Sequence, residues 1–491
     1  MVAWQLVYTL TLLIGLSTLL PIFAWISILD KNYDTDTQTV SAIVITSINV
    51  ITFFVSPLGG KLSDKIGRTV PLAMATAIMP VPLISLSFHN ELSIMSLLIV
   101  TVICSGISQA VVCILQSYII DNSLPDEKLK NLGIMYASIA FGFMLGGGFG
   151  VMIEDKYPLR GMTFDKWAIE EAVADFQPVL DAHTLLLRYV GICLMGFGVL
   201  VSFFLPKGTV GRTEIEKMKD ENDRSVNFLD SITYIMHAKP NIKHMAILNI
   251  LRVAAFQPVS SGFTAYMQLR FKDKNPNYAI FVMVSCIMGI IANLNIKFIA
   301  KKIGRKQVIV FGFLFYALED IGYGIIQESF YIAFFVPASI FAFLSFAANT
   351  MMDSVTSSYV SSEEQGTVMG AMSQCRAFAS FVLTIPCGLL FSYSDKLSKE
   401  YREKENVNDV YFQGFPFLVF SIFGFIGAIY VATCINSVDI NNTTLSHKQN
   451  EAGYYTKLND ENDMEIDEDD DDDLSMARLV GSRTPSFVEM T

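Results

Sequence analysis

Four charged side chains interrupt long apolar stretches of this sequence. Arg252 and Arg376 each stand inside a run of apolar residues, and Glu319 and Asp320 sit side by side in another. A charge at the centre of a bilayer costs about 2.5–3.5 kcal/mol on insertion scales, so such residues tend to serve a site. An arginine stays protonated and offers a planar fork of donors. It suits the clamping of a carboxylate or carbonyl group and cannot carry a titrating proton. That duty falls to a carboxylate, which makes Glu319 and Asp320 the candidate proton carriers. The plainer alternatives are a structural ion pair for the arginines and helix–helix hydrogen bonds for the acids. Gln109, Gln116, Gln257, Tyr266 and Asn349 place polar or aromatic groups on other apolar runs and complete a candidate binding set. Side chains of this kind also serve as glue between membrane helices.

A second charged group lies at a polar break. Gly60-Lys-Leu-Ser-Asp64-Lys65-Ile-Gly67-Arg68 separates two apolar runs, and Asp121 closes a later one. Its glycines allow a tight loop to lie close against helix ends. Other chemistries lack their residues. The histidines (His89, His183, His237, His244, His447) form no ligand pair at helical spacing, so no metal site is expected. The 7 cysteines all fall in apolar runs, which argues against a disulfide framework. There is no phosphate-binding G-x-x-x-x-G-K-[ST] loop and no nucleophile–base pair. The expectation is a protein without cofactor that is not an enzyme.

The elements that position these residues follow from composition. The chain of 491 residues is 52% hydrophobic and 17% charged, against about 45–50% and about 25% for soluble domains. A membrane-crossing helix needs about 20 mostly apolar residues. Twelve runs qualify: Val2–Leu29, Thr39–Gly59, Val70–Phe88, Leu92–Ile120, Asn131–Ile153 and Leu185–Leu205, then Met245–Leu269, Tyr278–Ile296, Gln307–Gln327, Phe330–Ser358, Gly366–Tyr393 and Gly414–Val438. The first lacks a basic leading segment and a cleavage site, so it reads as a helix and not a signal peptide. The fold class is therefore an all-α polytopic membrane protein. Its domains are a six-helix bundle over 1–205, a central linker over 206–244, a second six-helix bundle over 245–438 and a disordered acidic tail over 439–491.

Basic residues in the loops set orientation. With the N-terminus cytoplasmic, inside loops hold 17 Lys and Arg and outside loops 11. Linker and tail are then cytoplasmic and Glu154–Thr184 is outside. The net charge of −12 belongs mostly to the tail, where Asn441–Thr491 carries 13 acidic and 4 basic residues. No basic face exists for nucleic acid. Asp467–Asp473 is an unbroken acidic run that repels itself and stays disordered. Tyr455-Thr-Lys-Leu458 has the form of a tyrosine-based sorting signal, which would engage a sorting adaptor at the plasma membrane or an endosomal or lysosomal membrane; four-residue matches are also common by chance.

The halves echo each other. Ile66-Gly67-Arg68 recurs as Ile303-Gly304-Arg305, and Leu132-Gly133 opening the fifth run matches Gln365-Gly366 opening the eleventh. Equal helix rank and near-equal offset imply two pseudo-symmetric bundles. The segment Gly60–Arg68 resembles the signature G-x-L-x-D-[RK]-x-G-R of the major facilitator superfamily. Tyr118-Ile-Ile-Asp121 with Asp126-Glu127 and Gly133, and Gln365-Gly366 with Gly370, Arg376, Pro386 and Gly388, are similar to its tetracycline-resistance and hippocampus-abundant-transcript branch.

The resemblance implies a cytoplasmic latch of Gly60, Asp64, Lys65, Gly67, Arg68 and Asp121. Asp64 would face the N-terminus of the eleventh helix, and Arg68 or Lys65 would pair with Asp121. It also implies a cavity lined by the first, fourth, seventh and tenth helices, with Arg252 on its wall, Arg376 central and the ninth helix outside. The chain departs from the family pattern where Lys301 replaces the second-half acid. Val102–Gly106 holds no arginine, Gly142-Phe-Met-Leu-Gly146-Gly147-Gly148 lacks the antiporter proline, and the first helix lacks an acid. The expected function is secondary active transport of a small organic solute by alternating access. A gradient drives it, protons being one candidate for coupling. The alternative is a non-transporting receptor or scaffold that keeps the fold and signals through its tail.

Overall fold

The computed structural model describes residues 4–17, 37–88, 92–124, 127–156, 188–205, 235, 237, 240–261, 263, 266, 275–325, 335–360, 364–405 and 414–435. The linker from 206 to 234, most of Glu154–Thr184, the tail and Tyr455–Leu458 lie outside the described residues.

Helices occupy each of the twelve apolar runs, and no strand occurs among the described residues. Counting by run, the first and sixth helices are Trp4–Ser17 and Arg188–Phe204. The second is Thr37–Ile66, the fifth Lys128–Lys156 and the seventh Pro240–Ser261. The ninth to twelfth are Arg305–Ile325, Phe335–Ser358, Gln365–Glu405 and Phe415–Cys434. Seven described helices are long and apolar enough to cross a membrane, or eight if one bent pair is a single span. Their outward faces carry large apolar side chains such as Leu389 and Ile429, both exposed. A bilayer would cover these, whereas water would not tolerate so many together.

The third, fourth and eighth spans are interrupted, each at a local feature. The third divides into Thr69–Ile78 and Val81–Leu86. Pro80 and Pro82 flank that break, and proline lacks the N–H that would continue the ladder. The fourth divides at Gln109 into Ile94–Ser108 and Ala110–Asp121. There the Ser108 hydroxyl turns back to the Ser105 carbonyl at 2.9 Å, a bond that bends helices. The eighth bends by 65° between Asn275–Leu294 and Ile296–Ile303. The Asn295 amide caps back onto the Ile291 carbonyl at 2.8 Å beside that bend.

Two boundaries differ from the sequence expectation. Gly60–Arg68 is not a loop through most of its length, because the second helix continues to Ile66. The reversal is confined to Gly67, at φ +90°, where a Cβ would be strained. The seventh helix begins at Pro240 instead of Met245, a proline being well placed in a first turn. Arg252 therefore lies twelve residues along the helix, about 18 Å from that end at 1.5 Å per residue, and not about 10 Å.

The sequence echo is also a backbone echo. Gly67 and Gly304 both have φ of +90°, and they are the positive-φ glycines among the described residues. Each half has its own apolar core. Leu10, Leu72, Leu115, Ile119 and Leu132 lie in the first, and Leu248, Val308, Phe313 and Val368 in the second. Each core borrows a residue from the other half: Met369 packs into the first and Leu129 into the second. The halves thus meet where the eleventh helix leans on the second and the fifth on the eighth.

Candidate functional site

The first site is a lock at one end of the bundle. Asp64, on the last turn of the second helix, accepts the Gly366 N–H at 3.1 Å, the Thr367 N–H at 2.7 Å and the Thr367 hydroxyl at 2.7 Å. Gly366 and Thr367 are in the first turn of the eleventh helix, whose N–H groups have no preceding carbonyl to bind. The helix dipole adds to the attraction for an anion there. Arg68 then joins two carboxylates. Its Nη1 lies 2.5 Å from Asp64 and donates to the Ser63 hydroxyl at 2.6 Å. Its Nε and Nη2 both lie 3.0 Å from Oδ2 of Asp121. Arg68 is buried, with both acids nearly so, and Lys65 is exposed.

Glycine permits the approach. A Cβ on Gly366 would run into the Arg68 guanidinium, the Asp64 carboxylate and the Gly60 carbonyl. One on Gly60 would run into the Gly366 carbonyl, and one on Gly370 into the Ser56 carbonyl. Gln365 fixes the turn before the eleventh helix by donating to the Ser357 and Val360 carbonyls at 2.9 and 3.0 Å.

The second site is a polar cluster deeper in the bundle. Arg376 lies eleven residues into its helix, about 16 Å from the lock end. Its Nη1 meets Asp353 Oδ1 at 3.2 Å and donates to Asn249 Oδ1 at 3.3 Å. Asp353 belongs to the tenth helix and is fully buried. Its other oxygen accepts the Gln116 amide at 3.0 Å and the Tyr136 hydroxyl, both from the first half. Gln116 also donates to Tyr136 Oη at 2.5 Å. One carboxylate thus receives an arginine from its own half and two hydrogen bonds from the other.

Arg252 lies beside this cluster. It makes no hydrogen bond or ion pair among the described residues, and its place is fixed by its neighbours on the helix. Asn249 and Phe256 share its helix face at spacings of three and four. The first reaches Arg376, and the second packs on Tyr316 with ring centroids 6.1 Å apart. Tyr316 in turn donates to Asn349 at 3.1 Å.

The other candidates are placed elsewhere. Gln257 donates to Thr384 at 2.9 Å. Tyr266 donates to the Tyr323 carbonyl at 2.6 Å within a ring cluster that includes Phe263 and Phe417. Gln109 is exposed at the break in the fourth span. Glu319 accepts the Tyr323 hydroxyl at 2.8 Å, and Oδ2 of the buried Asp320 has no partner among the described residues. Neither acid pairs with Arg376 among the described residues. The partner of Arg376 is Asp353, which sequence reasoning passed over together with Tyr136 and Asn249. One signal was available: Asp353 is an acid inside the tenth apolar run, like the four charges that were singled out.

Comparison with known proteins agrees with this architecture. No curated protein matches the sequence. Among solved structures, the human organic anion transporter MFSD10 is similar with a TM-score of 0.60 at 14% identity, over 87% of this chain and 98% of that one. The Escherichia coli fucose:proton symporter FucP matches with a TM-score of 0.62 at 10% identity, over 88% and 98%. The proton:xylose symporter XylE gives 0.63 at 14% identity, over 88% and 95%. At these identities the likeness is one of fold. Residues 6–384 match the sequence profile of the Major Facilitator Superfamily. With that match over most of its helices, the chain belongs to the Major Facilitator Superfamily, as an integral multi-pass membrane transporter and not an enzyme.

Proposed function

We propose that this transporter moves a small organic solute by alternating access. The Arg376–Asp353 cluster forms its central site, and the Asp64–Arg68–Asp121 lock holds one end closed. The observation that carries the reading is the chemistry of the junction between the halves. At the lock and at the cluster, the halves are joined by hydrogen bonds to single carboxylates, Asp64 and Asp353. Such contacts can be exchanged for water or solute at modest net cost, since a hydrogen bond to a charged group nets only about 1.5–3 kcal/mol over its solvated alternative. The glycine contacts at Gly60 and Gly366 let the helices part without unthreading large side chains.

We assign the lock end to the cytoplasm from the excess of basic residues in the loops on that side. A gradient supplies the drive. Protons suit it, with Glu319 and Asp320 as carriers, both buried on the ninth helix one turn beyond Tyr316.

The test is initial-rate solute flux in proteoliposomes as a function of pH. Asp64→Asn and Asp121→Asn are expected to slow flux while leaving folding largely intact, and Arg376→Ala to abolish it. Glu319→Gln or Asp320→Asn is expected to flatten the pH profile. Wild-type rates in both lock variants and in Arg376→Ala would remove these residues from the mechanism. An unchanged profile in both acid variants would remove the ninth helix from coupling.

A further inference from the structure

We infer that the central site takes an organic anion bearing one negative charge of the carboxylate type, and that Arg252 is the residue that receives it. The inference rests on the proposed central site and adds the class of its substrate. It follows from a count of charge. Arg252 stands on its helix face between Asn249, which binds Arg376, and Phe256, which packs on Tyr316, so two guanidinium groups share this region with the carboxylate of Asp353. Asp353 is committed: Arg376 takes one of its oxygens, and Gln116 and Tyr136 take the other. Asn249, the neighbour one turn below Arg252, is also spent on Arg376. Arg252 is left facing another cation with no counter-ion among the described residues.

The acid one turn beyond Tyr316 does not supply one. Glu319 lies one turn beyond Tyr316 on the ninth helix, and its carboxylate is turned onward to the Tyr323 hydroxyl. Tyr316 and Tyr136, both in the field of Arg252, are neutral donors whose hydroxyls are directed at Asn349 and Asp353. Arginine cannot escape by losing its proton. An unpaired cation within a membrane protein is costly to the empty state and needs an anion from outside. Arg252 as a whole residue is only half-buried, which leaves one side of it open to an arriving group. A carboxylate fits that fork through two parallel N–H···O bonds, which a neutral amide cannot reproduce. Asp353 meanwhile keeps Arg376 and the first half in register, so a single external charge completes the balance.

The first experiment needs no ligand. Melting temperatures are measured for purified full-length protein in detergent. Arg252→Gln and Arg252→Met, which remove the unpaired charge and keep most of the side-chain length, should melt above wild type. Arg376→Gln, which strands Asp353, should melt below it. If both neutral variants at position 252 melt at or below wild type, Arg252 already has a counter-ion and the inference falls.

The second experiment compares matched acids and amides as stabilisers: benzoate with benzamide, nicotinate with nicotinamide and lactate with lactamide. At least one acid should raise the melting temperature of wild type while its amide does not. Its half-saturating concentration should rise by about tenfold or more in Arg252→Gln. Equal effects of acid and amide, or no effect of any acid, would overturn the assignment. Proteoliposome flux keeps the two readings apart. Acid binding without flux of any solute would leave the anion site standing and sink the transport mechanism. Flux of a neutral solute that Arg252→Gln leaves unchanged would do the reverse.

Discussion

The second and eighth helices approach the partner half in the same way. Each runs into an Ile-Gly-Arg turn with the glycine at φ +90°. Each presses on a glycine of the other half, the second on Gly366 and the eighth on Gly133. A Cβ on Gly133 would strike the Asn293 carbonyl and Ile296, much as one on Gly366 would strike Gly60 and Asp64. The charges then diverge. The first turn carries Asp64 where the second carries Lys301, which is exposed. Asp121 ends the fourth helix where Ser358 ends the tenth. Steric fit is common to both junctions, whereas ionic locking belongs to one. A duplicated bundle can thus keep its geometry while only one of its two equivalent contacts becomes a charge-sensitive latch.

The largest expected effect breaks the charge centre itself. Arg68→Gln leaves Asp64 and Asp121 facing each other almost buried, and removing one partner from such a pair costs about 3–5 kcal/mol. Arg305→Gln at the equivalent, partly exposed position should cost under about 1 kcal/mol. Hydrogen exchange of the Gly366 and Thr367 amides reads this directly, since Asp64 protects both. Protection should collapse in Arg68→Gln and persist in Arg305→Gln. Equal loss in both would dissolve the contrast. Asp64→Asn comes next. It keeps an acceptor but loses the charge-assisted bonds, worth about 1.5–3 kcal/mol each to a charged group. Exchange at the same two amides should quicken by about tenfold or more, a factor that 1.4 kcal/mol supplies.

A smaller effect tests what the junctions share. Gly366→Ala and Gly133→Ala each force backbone apart, and overpacking of this kind costs about 1–3 kcal/mol. Both should lower the melting temperature by similar amounts. A loss at Gly366 alone would mean that the eighth-to-fifth contact is loose and that the steric likeness is only apparent.

How much of this could be read from the sequence depended on the signal each residue leaves. Twelve apolar runs gave twelve helices because hydropathy is a property of each stretch by itself. The Gly-Arg echo marked both turns because a positive φ demands glycine. Helix extent at Gly60–Ile66 was harder to read. Lys61, Asp64 and Lys65 look like loop residues, but Gly60 is buried against the partner half, Ser63 is buried beneath Arg68, and the helix carries onward through both. Asp353 was missed because it stands five residues from the end of its run, among Ser354, Thr356, Ser357 and Ser358, where polarity reads as a frayed terminus. Tyr136 gave no signal at all. A tyrosine on an apolar helix becomes part of a site only when another helix places a carboxylate against it, and that pairing spans 217 positions in sequence.

The smallest expected effect is the sharpest test of why only one junction locks. Lys301→Asp restores the acid that the second turn lacks, so a view based on charge alone expects a second lock at the fifth helix. The backbone argues otherwise. Gly366 is the second residue of its helix, and its N–H is an orphan donor that a carboxylate can satisfy. Gly133 is the sixth residue of Lys128–Lys156, so its N–H falls within the helical ladder. Nearer the start, the Lys128 and Asn131 N–H groups already donate to the Leu124 and Glu127 carbonyls at 3.0 and 2.9 Å. An acid at position 301 would find the N–H groups of Lys128, Asn131 and Gly133 already engaged, and the arginine of that turn, Arg305, is only half-buried. Its effect should stay within about 0.5 kcal/mol, as for surface substitutions in general. Hydrogen exchange at Leu132 and Gly133 should match wild type. Strong new protection there would show that an anion alone makes the lock, and that the early start of the fifth helix is irrelevant to it.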